Sequence, residues 1–123
     1  MAICITGSGS HIPEIVKKNK DFLENPFLNS DGSSFDVSNE VIIKKFQSIT
    51  GITERRYAKK ELNTSDLAFF ASKKAIDDSK IDKETIDYII VAHNFGDVRH
   101  NKKQSDLLPS LASRVKNKLE ILN

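Results

Sequence analysis

Apolar positions in this chain follow two patterns: one recurs at helical spacing, the other comes in short unbroken runs. Val41, Ile42, Phe46 and Ile49 recur at near-helical intervals between residues 39 and 49, and Gly51 follows as a C-cap, which predicts a helix. Asn63, Thr64, Ser65 and Asp66 offer capping side chains and an early acid ahead of Leu67, Ala68, Ala71, Ala75 and Ile76. This second helix ends near Ser79, and its alanines suit close packing against a neighbour. A third apolar face, Leu107, Leu108, Leu111, Ala112, Val115 and Leu119, predicts a helix starting close to Leu108, because Pro109 lacks an amide proton and fits only the first turn. A short helix is also expected around residues 19–24.

The unbroken runs read as strands. Residues 3–6, Ile-Cys-Ile-Thr, stop at Gly7-Ser8-Gly9-Ser10, which predicts a buried strand ending in a turn, with Cys4 as a small buried hydrophobe. Residues 86–92, Ile-Asp-Tyr-Ile-Ile-Val-Ala, form the strongest strand pattern in the sequence. Apolar side chains at consecutive positions imply burial on both faces, as in a central strand with parallel-type neighbours on each side. Residues 52–58 read as a charged extended segment, and Ile121-Leu122 turns apolar again as though another strand were starting. Asn25-Pro26 and residues 29–34 carry strong loop signals, so 25–38 reads as a polar loop insertion within one incomplete α/β domain spanning 1–123.

Length and charge narrow the function classes. A chain of 123 residues is one domain or part of one. Lys and Arg number 19 against 17 Asp and Glu, dispersed along the chain, so the basic footprint of a nucleic-acid binder is missing. No apolar run approaches the roughly 18 residues of a membrane span. The first residues lack a basic region and a long apolar stretch, so no signal peptide is expected, and the expected compartment is the cytoplasm. A single cysteine excludes an intrachain disulfide and a Cys-rich zinc site.

Candidate chemistry is sparse on the residues themselves. Thr6-Gly7-Ser8-Gly9-Ser10-His11-Ile12 has a dinucleotide-like opening, but Ile12 occupies the third glycine position and Pro13 follows, which favours a plain glycine turn over a phosphate cradle. His11, His93 and His100 lack companions at metal-ligand spacing, so no metal is expected. His93, at the carboxyl end of the strongest strand pattern, reads as a hydrogen-bonded structural histidine before a catalytic one. Arg55-Arg56 beside Glu54 reads as a salt-bridged edge before an anion clamp, and no Gly-x-Ser-x-Gly elbow supports a hydrolase.

Taken together, several segments resemble a known family. Residues 5–14, Ile-Thr-Gly-Ser-Gly-Ser-His-Ile-Pro-Glu, are similar to the opening of 3-oxoacyl-acyl-carrier-protein synthase III. Thr50-Gly51-Ile52-Thr53-Glu54-Arg55 resembles its Thr-Gly-Ile-x-Glu-Arg segment, Ser65-Asp66-Leu67-Ala68 and residues 81–92 its next helix and strand, and Leu108-Pro109-Ser110 its apolar-Pro-Ser helix entry. The resemblance runs through nearly the whole chain in order. It implies a partial thiolase-like fold, the N-terminal part of the first αβαβα half, with a central mixed sheet and flanking helices.

That resemblance also implies an activity. In the family a cysteine at a helix N-terminus takes an acyl group from a coenzyme A thioester, and His and Asn support condensation with malonyl-acyl-carrier protein. Those three residues are expected beyond residue 123, so the chain alone is expected to be inactive, with no catalytic residue and no resident cofactor. The family's Trp and Arg in the coenzyme A channel correspond to Lys45 and Ile49, whereas Thr50 matches. This departure, with the long 93–106 connection, implies a divergent subgroup using another acyl or aromatic donor. Leu108 matches the bulky residue that reaches the partner's acyl pocket in the family's homodimer. A dimer burying the face of Leu107, Leu108, Leu111, Ala112 and Val115 is therefore expected. A self-standing, non-catalytic α/β binding module remains the alternative reading of the same residues.

Overall fold

The computed structural model describes residues 3–123; Met1 and Ala2, part of the stretch read for a signal peptide, lie outside the described residues. The chain divides into two compact units: residues 13–57, and residues 58–123 with the N-terminal segment up to Ile12.

The smaller unit contains β1 (Ile15–Lys18), a 3₁₀ turn (Asn19–Phe22), α1 (Asn39–Thr50) and β2 (Glu54–Tyr57). β1 and β2 pair antiparallel, with Ile15 opposite Tyr57 and Lys18 opposite Glu54. α1 matches the predicted helix and ends at Gly51, whose φ of 68° is left-handed and whose N–H donates to the Gln47 carbonyl at 2.8 Å. Of its apolar stripe, Ile42 is buried while Val41, Phe46 and Ile49 are exposed. Asn19 joins the turn to β2: its Nδ2 donates to the Ile52 carbonyl at 2.9 Å, and its Oδ1 accepts from Arg55 Nη1 at 2.8 Å. Asn39 fastens the polar segment to the start of α1, its Nδ2 donating to the carbonyls of Leu23 at 2.5 Å and Asn25 at 3.0 Å.

The larger unit is organised by α2 (Thr64–Ser79) and α3 (Leu111–Leu119), with a 3₁₀ turn at Lys83–Thr85. α2 starts where its capping residues predicted, and the Asp66 carboxylate accepts the Asn63 N–H at 2.8 Å. α3 packs on α2, burying Leu111 and Val115, the latter fully, while Ile121 is buried just beyond the helix. Lys83 Nζ donates to the carbonyls of Leu119 and Glu120 at 2.9 and 2.8 Å, satisfying acceptors that the end of α3 leaves free.

The N-terminal segment lies against α2. A Cβ on Gly7 would come within 2.5 Å of the Ala75 carbonyl oxygen, and one on Gly9 would meet the backbone of Ala71 and Ala75. Both glycines therefore serve the close approach that the alanines of α2 permit, and the chain before Gly7 runs toward the C-terminal end of that helix.

Four expectations are corrected. Residues 3–6 and 86–92 belong to no strand ladder, and the expected central mixed sheet is absent among the described residues, where the sheet is the β1–β2 pair alone. Residues 86–92 have no strand partner among the described residues: Tyr88 is 85% and Ile90 92% exposed, while Ile86 and Ile89 are half-buried beside Ala112 and Ile121. A strand exists only with a partner, and no other described segment supplies one. Cys4 is exposed, because the strand that would bury it is unpaired. The third helix begins at Leu111 instead of near Leu108: the Ser110 hydroxyl accepts the Ser113 N–H at 3.2 Å as its N-cap, leaving Pro109 outside. The expected dimer face is split by that shift, since Leu111 and Val115 are spent against α2 while Leu107 and Leu108 stay exposed.

Candidate functional site

In the smaller unit the expected channel residues cluster at the C-terminal half of α1. Lys45 and Ile49 are four residues apart and share one exposed face of the helix. Thr50, also exposed, closes the helix: its hydroxyl donates to the Phe46 carbonyl at 2.7 Å and accepts the Ile52 N–H at 3.2 Å. Phe46 is turned elsewhere, stacking edge-on against Phe27 with ring centroids 6.0 Å apart. Phe22, Phe27, Ile43, Phe46 and Tyr57 line an apolar cavity of about 190 Å³, with Asn19 and Arg55 as its polar wall. Arg55 sits 5.4 Å from the Phe22 ring centroid, a cation–π contact. Arg56 pairs with Glu54 at 3.2 Å on the exposed side, the salt-bridged edge expected of this doublet.

In the larger unit the polar centre is Asp97, buried at 2% exposure. Its carboxylate accepts the Ser65 N–H and the Ser65 hydroxyl, both at 2.7 Å, and pairs with Arg114 Nη1 at 3.3 Å. An amide that the first turn of α2 leaves without an intrahelical partner is thus satisfied by a residue 32 positions away in sequence. Arg114 also donates to the carbonyls of Leu108 at 3.0 Å and Pro109 at 2.9 Å, holding the turn that enters α3. His93 Nδ1 accepts the Gly96 N–H at 2.9 Å, the structural role expected for it. Sequence reasoning missed this cluster. The available signal was Gly96-Asp97, a glycine at φ 76° followed by an acid, inside a polar stretch.

Asp66 reinforces the same helix pair. Burial pushes its carboxyl up, but the Lys118 ammonium donating at 2.8 Å, the Asn63 N–H and the Lys118 charge together hold it below the usual carboxylate range. Leu108 stands 84% exposed ahead of Pro109, in the unit that does not contain Thr50, Lys45 and Ile49. His11 stacks on Phe70 with centroids 4.8 Å apart. Among the described residues no group of three or more His, Cys, Asp or Glu could hold a metal ion, and no helix is long and apolar enough to cross a membrane.

Several known proteins similar to this chain are named beta-ketoacyl-[acyl-carrier-protein] synthase III. The chain is 40% identical over 120 residues to a beta-ketoacyl-[acyl-carrier-protein] synthase III of Staphylococcus haemolyticus, a match covering 98% of this chain and 32% of that protein. A synthase III of Vibrio parahaemolyticus is 38% identical over 117 residues, covering 95% of this chain and 30% of the relative. One of Fusobacterium nucleatum is 43% identical over 96 residues, covering 78% and 25%. The chain thus spans about a quarter to a third of the length of these curated relatives. No family model matches it.

Proposed function

We propose that this chain is the N-terminal portion of a condensing acyltransferase of the synthase III kind, whose whole form joins an acyl thioester of the coenzyme A type to malonyl-acyl-carrier protein. The observation that carries the reading is the 40% identity extending over 98% of the chain. In this reading the portion contributes to a thiolase-like fold in a cytoplasmic homodimer that needs no resident cofactor.

The chemistry requires a thiolate that attacks the thioester carbonyl and expels the coenzyme A thiolate. Loss of carbon dioxide from the malonyl group then gives a carbanion that attacks the enzyme-bound acyl carbonyl and releases the cysteine. This chain supplies positioning groups and not the nucleophile. Cys4 precedes Gly7 on a segment running toward the C-terminal end of α2, where the helix dipole opposes a thiolate. Lys45 and Ile49 on the open face of α1, next to Thr50, form the donor channel, where the Lys45 ammonium can meet a phosphate as a point charge in place of a planar guanidinium. Exposed Leu108 is free to enter a partner's acyl pocket.

The test is the product of the intact reading frame that contains this sequence. Condensation of acyl-coenzyme A with malonyl-carrier protein is expected, with Lys45→Glu raising the KM for the donor several-fold at little change in kcat. The 123-residue chain incubated with labelled acyl-coenzyme A is expected to stay unlabelled. No condensation by the intact product overturns the reading, and a thioester on Cys4 overturns the assignment of the nucleophile elsewhere.

A further inference from the structure

Leu108 owes its place to its backbone. Its side chain is 84% exposed, as is that of Leu107 before it, so packing does little to fix where it points. What holds the residue is Arg114, in the first turn of α3. The guanidinium commits all three of its nitrogens. Nη2 donates to the Leu108 carbonyl at 3.0 Å, Nε to the Pro109 carbonyl at 2.9 Å, and Nη1 faces Asp97 at 3.3 Å and Asp106 at 3.5 Å. Asp97 is itself fixed, since its carboxylate takes the N–H and hydroxyl of Ser65 at the start of α2 and its carbonyl accepts the Asp106 N–H at 3.0 Å. The starts of two helices and the turn carrying Leu108 thus meet on one side chain.

We infer that Arg114 is a positioning residue for acyl-chain selectivity, on the reading proposed above that Leu108 enters an acyl pocket. A pocket wall discriminates between chain lengths only as well as it is held, because a residue that can yield lets a longer chain in. Pro109 brings no N–H to this turn, so its carbonyls are the handles available, and Arg114 takes two in succession. The planar fork matters here. Its donors lie in one rigid plane and fix two carbonyls and a carboxylate in set directions, whereas lysine carries one ammonium on a flexible stem and cannot span all three. Arg114 touches no substrate in this account: it acts through Leu108, and Asp97 acts through Arg114.

The product of the intact reading frame is assayed with a short and a long straight-chain acyl-coenzyme A, each against malonyl-carrier protein, and the ratio of their kcat/KM values is read. Leu108→Ala is expected to raise the long-over-short ratio several-fold by removing the wall. Arg114→Lys is expected to move the ratio in the same direction, because it keeps a cation for Asp97 while releasing the Leu108 turn. The double variant is expected to go no further than Leu108→Ala alone. Where Arg114→Lys does not accumulate as folded protein, Asp97→Asn takes its place; it keeps an oxygen for the Ser65 N–H, withdraws the countercharge of the guanidinium, and is expected to shift the ratio the same way by a smaller factor. A loss shared equally by both donors makes the clasp purely structural and overturns the inference, as does a double variant in which the two single shifts multiply. An unchanged ratio in Leu108→Ala overturns instead the placing of Leu108 in an acyl pocket, and the inference with it.

Discussion

The α2–α3 pair and the segments at 3–6 and 86–92 belong to the same unit and meet opposite fates, although the segments are the more apolar in sequence. The helices close their backbone hydrogen bonds within themselves and finish the remaining ends with side chains: Asp97 on Ser65, Lys83 on the carbonyls of Leu119 and Glu120, Asp66 on Asn63. A strand must borrow a partner for its backbone groups, and among the described residues the backbones of 3–6 and 87–92 have no such hydrogen bond, Ile86 alone being held, by Lys83 and Asn123. Val115 is fully buried in a nine-residue helix while Ile90, in a more apolar run, is 92% exposed. Hydrophobicity selects what should be buried, but backbone pairing decides whether a given length of chain can bury it.

The sharpest way to break this contrast is to delete equivalent apolar groups on the two sides. Leu111→Ala removes a buried side chain at the α2–α3 contact and is expected to cost about 2–5 kcal/mol in urea unfolding followed by circular dichroism. Ile90→Ala, measured at a concentration low enough to keep the chain monomeric, is expected to change stability by less than about 0.5 kcal/mol. Comparable losses at the two positions would mean that residues 86–92 are covered.

Next in size is the polar clasp. Asp97→Ala leaves the Ser65 N–H and hydroxyl and one Arg114 donor without their acceptor, and is expected to cost about 1–3 kcal/mol. Asp106→Ala, which removes an exposed carboxylate 3.5 Å from the same guanidinium, is expected to cost well under about 1 kcal/mol. The difference between the two losses measures what burial and the two Ser65 hydrogen bonds add to an Arg114 carboxylate contact.

The smallest effect is a dependence on pH. Asp66 has its carboxyl pKa lowered on folding, so its tie to Lys118 and Asn63 stabilises the fold above the ordinary carboxylate pKa and is lost as pH falls through the lower folded value. The expected contribution is about 0.2–1 kcal/mol, full at neutral pH and fading only below roughly pH 4. Lys118→Met is expected to remove most of this dependence in thermal melts run across the acid range.

This comparison also explains which parts of the fold were legible in the sequence. α1 and α2 announce themselves because cap, stripe and stop are neighbours in the chain: Asn63 and Asp66 ahead of Leu67, or Ile49 followed by Gly51. The start of α3 was misplaced by three residues, since Leu108 fits the apolar stripe but the Ser110 cap and the Arg114 donors to Leu108 and Pro109 set the real boundary. Strand pairing depends on residues far apart. The pattern of 86–92 indicated a wish for burial with no means of showing whether a neighbour exists, while the modest Ile15–Lys18 gained a partner in Glu54–Tyr57 and went unread. The same holds for the site. Thr50, Lys45 and Ile49 follow from one local motif, whereas the clasp of Asp97, Ser65 and Arg114 joins three separate segments and has no signature in any one of them.

Hydrogen exchange, read by mass spectrometry on the dilute monomeric chain, tests most directly whether helices are complete and strands unpartnered within these residues. The prediction is strong protection of the α3 amides around Val115, which is buried against α2, and exchange at unprotected-chain rates from residue 87 to 92. Slow exchange at 87–92 in a monomer, or an α3 that exchanges as fast as that segment, would contradict the account.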